Sequence, residues 1–151
     1  MNGWMIGALL LATVTCGVDW DGVKTTHSEN EWLEILGMDR FKVMRRKGTQ
    51  RAFTGEYTFK TGPAVYSCAG CGLDLFDGQD QYDARCGFPA FTKAISAKNV
   101  YFEEDFTLSF KRYEILCRGC DSHLGHIFND GPPPKKLRFC VNSITLDRKE
   151  L

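Results

Sequence analysis

The chain has 151 residues, enough for a single domain with a full apolar core. Lysine plus arginine number 19 and aspartate plus glutamate 19, a balance that leaves no basic field to collect nucleic acid or an anionic membrane surface. Seven cysteines are too many to pass as core filler, so their spacing decides what they do.

Residues 4–14 form an apolar run followed by Thr15 and Cys16, with no charge before Asp19. A membrane-spanning helix needs about 20 apolar residues and a signal-peptide core roughly 7 to 15, so the length predicts export over spanning. Residues 1–16 are therefore read as a signal-peptide or lipoprotein-leader-like segment. Cys16 stands where a lipid-attachment cysteine would, giving a periplasmic or anchored product. The alternative is a lightly packed N-terminal tail on a cytoplasmic protein.

Residues 17–37 predict a polar linker and then a short helix, because Ser28 and Glu31 offer a capping box ahead of Trp32, Leu33, Ile35 and Leu36. Gly37 interrupts. Met38, Phe41 and Met44 then repeat at three-residue spacing with Arg45, Arg46 and Lys47 behind them, which predicts a second short amphipathic helix. From Glu56 onward short strand-like runs alternate with Gly, Pro, Asp and Asn, at 64–68, 100–102, 113–117, 137–141 and 144–146. The body is thus expected to be mainly β. Residues 129–134, Asn-Asp-Gly-Pro-Pro-Pro, must be a loop, since proline cannot donate to a ladder.

Cys68-Ala-Gly-Cys71 and Cys117-Arg-Gly-Cys120 are two knuckles of one spacing, each with a glycine that permits a tight turn. Four thiolates satisfy tetrahedral Zn²⁺ completely and leave no open position, so one structural zinc is expected on Cys68, Cys71, Cys117 and Cys120. A pair of redox dithiols is the competing reading.

Cys86 and Cys140 lie outside the knuckles. If 137–142 is a strand, its two-residue period puts Arg138, Cys140 and Asn142 on one face and Phe139 and Val141 on the other. A guanidinium beside a thiol favours thiolate, which makes Cys140 a candidate nucleophile. A buried, inert strand cysteine is the other possibility. His123 and His126, separated by Leu-Gly, offer proton carriers at neutral pH, with Asp121 and Asp130 as candidate partners.

His123-Leu-Gly-His126-Ile-Phe-Asn-Asp130-Gly-Pro followed by Leu137-Arg-Phe-Cys140-Val-Asn142-Ser resembles the signature of the B-type methionine sulfoxide reductases. Met44 to Thr49, Phe53-Thr-Gly55, Tyr66 to Phe76 and Cys86-Gly-Phe88-Pro-Ala-Phe91 resemble further blocks of that family, so the likeness spans roughly residues 38–146, within an expected reductase domain at 38–148. The resemblance implies two twisted antiparallel sheets in a compact barrel-like fold, zinc on the four knuckle cysteines, methionine-R-sulfoxide in oxidised proteins or free as substrate, and thioredoxin as reductant. It also implies that Cys140 is the nucleophile and Cys86 the resolving cysteine, with His126, His123, Asn142 and Arg138 around them. Phe88 and Phe91 are expected in the substrate pocket. Phe88 departs from the family, which usually has tryptophan there, and so loses pocket area and an indole N–H. A monomer is expected. A non-enzymatic zinc-binding interaction module is the alternative from another class of function, one with no reason to gather Arg138, Cys140 and Asn142 on one strand face.

Overall fold

The computed structural model describes residues 18–151, and the expected leader with Cys16 lies outside the described residues. Ser28 caps α1 (Glu29–Met44) through the full capping box. Its Oγ accepts from the Glu31 amide at 3.2 Å, and its own amide donates to the Glu31 carboxylate at 2.8 Å. Gly37, at φ 74° and ψ 165°, breaks the helical path, so α1 is two short helical segments joined at a kink. Trp32, Leu36, Phe41 and Met44 are buried, whereas Met38 is 53% exposed because the kink resets the helical phase directly before it. No helix among the described residues is long and apolar enough to cross a membrane.

The remainder is mainly β: β1 (Ala64–Cys68), β2 (Asp74–Asp77), β3 (Gln81–Tyr82), β4 (Ala90–Phe91), β5 (Val100–Asp105), β6 (Arg112–Cys117), β7 (His123–Phe128), β8 (Arg138–Val141) and β9 (Leu146–Glu150). They form two antiparallel sheets, one ordered β2-β1-β9 and the other β3-β4-β8-β7-β6-β5. Tyr66, Leu75 and Phe76 from the smaller sheet join Phe91, Ile115, Leu124 and Val141 from the larger one in a single apolar core. Phe76 stacks on Phe91 at 4.4 Å between ring centroids.

One strand expectation fails. Ile144 lies in a 3-10 turn (Ser143–Thr145), closed by Thr145, whose amide and hydroxyl both donate to the Asn142 carbonyl, at 3.0 and 2.7 Å. Only at Leu146 does the chain extend into β9 and pair with β1.

Candidate active site

The knuckles close first. Cys68 ends β1 of the smaller sheet and Cys117 ends β6 of the larger, and the four cysteine sulfurs lie within 4.8 Å of one another. Cys68 to Cys120 and Cys71 to Cys117 are each 3.6 Å. Sulfurs at about 2.3 Å from a tetrahedral zinc stand roughly 3.8 Å apart, so this set fits one such ion, which would join the two sheets. The Gly70 amide donates to Cys68 Sγ at 3.4 Å, as toward a thiolate. A Cβ on Gly119 would sit 2.8 Å from Cys71 Sγ, which is why that position is glycine.

The other two cysteines meet at β8 of the larger sheet. Ladder register sets Cys140 on β8 directly between Ala90 of β4 and His126 of β7, and His126 in turn opposite Glu114 of β6. Residues in one such cross-strand row point to one face, with Cβ atoms about 5 Å apart. The next row, Ile115, Gly125 and Val141, turns to the core. Gly125 is required there, since a Cβ would fall 2.0 Å from the Cys140 carbonyl oxygen. Cys86 arrives from a turn in which Arg85 (φ 56°) and Gly87 (φ 83°) both take left-handed conformations, and its Sγ lies 3.9 Å from that of Cys140. A cavity of about 200 Å³ opens over the pair, walled by Phe88, Phe128, His126, Arg112, Arg138 and Thr49.

His123 and His126 are three residues apart on β7, which in a regular strand would send them to opposite faces. The register shifts between Ile115 and Leu116, where Leu124 is the extra residue on β7, and this bulge brings both imidazoles to one side with ring centroids 5.4 Å apart. Each histidine has its own carboxylate. Asp105, at the end of β5, accepts from His126 Nε2 at 2.7 Å, and Glu114 accepts from His123 Nδ1 at 2.7 Å. Neither acid was legible in the sequence. The candidates read there serve elsewhere: Asp121 binds Lys24 and Tyr101, while Asp130 binds Arg138.

Hydrogen bonds from the Thr107 hydroxyl and amide, with His126 and Arg112 behind them, hold Asp105 well below the usual carboxylate range. With Asp105 ionised, Nε2 of His126 carries the hydrogen and Nδ1 is the bare nitrogen. Burial lowers the pKa of His126 and outweighs the raising effect of Asp105, so the imidazole rests neutral at pH 7. The two thiols divide one proton unequally. The hydrogen bond from the Cys140 thiol, then a backbone bond at Phe88 and the Arg138 charge, bring Cys86 down to about 6. The same thiolate neighbour and burial push Cys140 up. The two sulfurs thus share one negative charge, which the Arg138 guanidinium beside them favours.

Arg138 is fixed by Asp130 at 2.8 and 3.1 Å and lies over the Phe128 ring at 4.2 Å. Asn142 lines the cavity, but its carboxamide is committed to backbone: it donates to the Leu124 carbonyl at 3.0 Å and accepts from the Gln50 amide at 2.9 Å. It braces β7 against β8 rather than bonding a thiolate. Phe88 walls the cavity. Phe91 does not: it pairs with Phe139 across β4 and β8, on the face opposite Cys140, and is fully buried in the core. Arg112 and Thr49 line the cavity with no motif in the strand pattern to mark them.

A family model described as the SelR domain matches residues 36–150. The peptide methionine sulfoxide reductase MsrB of Azotobacter vinelandii is 44% identical over 126 residues, covering 83% of this chain and 95% of the relative. Its counterpart in Acinetobacter baylyi is 42% identical over 83% of this chain and 91% of the relative. That of Methanosarcina barkeri is 40% identical over 81% and 86%.

Proposed function

Since the chain belongs to the SelR-domain family of peptide methionine sulfoxide reductases, we propose that it reduces the R epimer of methionine sulfoxide, in oxidised proteins or free, through the sulfur of Cys140. It is an oxidoreductase of that class. The observation that carries the reading is the placement of two sulfurs 3.9 Å apart under one cavity, with an imidazole directly across the ladder from Cys140.

A sulfoxide is an apolar thioether body with one strongly accepting oxygen. Phe88 and Phe128 offer the apolar wall, and His126 and Arg112 offer the polar side. Cys140 is the stronger nucleophile of the pair once deprotonated, because nucleophilicity rises with thiol pKa. Its proton passes to the Cys86 thiolate as its sulfur attacks the substrate sulfur. A proton delivered through His126 reaches the oxygen, which ends on Cys140 as a sulfenic acid while the thioether leaves. The substrate sulfur gains two electrons and the Cys140 sulfur loses two. Cys86 then attacks Cys140 Sγ, and its thiol proton leaves with the hydroxyl as water, forming a Cys86–Cys140 disulfide. A dithiol protein of the thioredoxin type reopens it by exchange. Cys68, Cys71, Cys117 and Cys120 hold one structural zinc. The working unit is a monomer.

A thioredoxin-coupled assay on the separated R and S sulfoxides tests substrate, epimer and reductant together. Turnover confined to the R epimer is expected, lost in Cys140→Ser. Residual R-sulfoxide reduction by Cys140→Ser would falsify the nucleophile assignment. We further propose that residues 1–16 direct export, which mass spectrometry of the mature N-terminus tests, an intact Met1 overturning it.

A further inference from the structure

Glu114 has no part in the chemistry described so far, yet it is 2% exposed on the polar face of the larger sheet. It stands in the same cross-strand row as His126 and Cys140. Its two oxygens are both engaged: Oε1 accepts from His123 Nδ1 at 2.7 Å, and Oε2 is ion-paired with Lys47 Nζ at 3.3 Å. Lys47 is exposed, so Glu114 connects solvent to a buried imidazole. His123 is 3% exposed, and its Nε2 is buried with no hydrogen-bond partner among the described residues. An imidazole so deep, fixed at one nitrogen by a carboxylate and free at the other, is an arrangement for holding and passing a proton rather than for packing.

The need for such a proton follows from the balance of the reaction proposed above, on which this inference rests. The resting pair contains one thiolate and one thiol, while the sulfoxide oxygen must leave as water with two protons. The thiol contributes one. The other must be brought to a cavity whose own imidazole, His126, is neutral because of its burial.

We propose that Glu114 is a positioning residue that, with His123, stores a proton beside His126 and reloads His126 for the attack on the sulfoxide. The carboxylate holds His123 by Nδ1 and leaves Nε2 as its open nitrogen. The edge-to-face contact of the two rings, at 5.4 Å between centroids, puts the store next to its user. The charged groups around this relay are Lys47 beyond α1, Glu103 on β5 opposite Glu114, Asp105 and Arg112 about His126, and Cys140 on β8.

The test is rapid-quench measurement of methionine formed in a single turnover of R-sulfoxide by the full chain, wild type against Glu114→Gln, from pH 5.5 to 8.5. Titration of the cysteine pair affects both proteins alike, so the ratio of their rates is read. The ratio should be about 10 or more at pH 8 and shrink toward 1 at pH 5.5, where solvent supplies the proton directly, with KM little changed. Glu114→Asp keeps the charge at a shorter reach and should fall between the two with the same pH trend. It decides the question alone if Glu114→Gln does not fold. A ratio near 1 throughout, or a loss equal at every pH, overturns the proposal. Failure of the wild type to form methionine from either epimer would instead overturn the reductase reading.

Discussion

Asp105 Oδ2 is shared between His126 Nε2 at 2.7 Å and an Arg112 guanidinium nitrogen at 3.1 Å, so one carboxylate from β5 reaches across β6 to orient the imidazole on β7. The ion fixes which nitrogen of His126 carries hydrogen. Asp105→Asn keeps the shape but can present an amide N–H to Nε2 and reverse that tautomer. A loss of about 10- to 100-fold in kcat with KM within about twofold is expected from steady-state kinetics. An equal loss in KM alone would show that Asp105 serves binding instead.

The lowered Cys86 thiol is open to direct chemistry. Alkylation by iodoacetamide, followed by peptide mapping, should label Cys86 first, with a rate that rises with pH about a midpoint near 6. Below that midpoint the thiol is protonated and slow. Cys140→Ala removes the hydrogen-bond donor beside Cys86 and should move the midpoint upward. First labelling at Cys140 would contradict the charge distribution.

Phe88 walls the cavity where the resembling family usually has tryptophan. Phe88→Trp adds aromatic area and an indole N–H, an effect of about 0.5–1.5 kcal/mol, or roughly 2- to 10-fold in KM. A lower KM with unchanged kcat is expected in the coupled assay. A higher KM would mean that the cavity has no room for the larger ring.

Gly125→Ala puts a methyl where the Cys140 carbonyl oxygen already is, 2.0 Å from the built Cβ. Both partners are ladder backbone and cannot swing aside, so β7 must part from β8. Destabilisation of about 3 kcal/mol in urea titration is expected, together with loss of activity because His126 and Cys140 no longer face each other.

The capping box, the interruption at Gly37, the knuckles and the alternation of Arg138 and Cys140 with Phe139 and Val141 were legible because each is a local pattern of a few residues. What failed needed tertiary information. Phe91 looks like a pocket residue beside Phe88, but ladder register alone turns it to the core. Ile144 has strand composition, yet Thr145 bonds back to Asn142 and makes a turn. Asp105 and Glu114 are single acids with no periodic signature, brought to the histidines by strand order and by the Leu124 bulge. The lowering of the Cys86 thiol reflects coupling to a sulfur 54 residues away, which no strand pattern contains.

Stripping metal with a strong chelator should release about one zinc per chain and lower Tm by roughly 20 °C or more. A structural zinc contributes about 10 kcal/mol or more, and each kcal/mol is worth about 2–4 °C for a chain of this size. Metal content well below one atom per chain in protein purified without added zinc would remove the basis for this expectation.

The four knuckle sulfurs, all within 4.8 Å of one another, are also near enough to pair with one another if left free. Bound to a metal, they are withdrawn from thiol–disulfide exchange. Among the described cysteines this leaves Cys86 and Cys140 to carry the redox cycle. A zinc held there would act as a chemical partition: it would let an enzyme that cycles through the proposed Cys86–Cys140 disulfide keep four more cysteines close together without forming the wrong one.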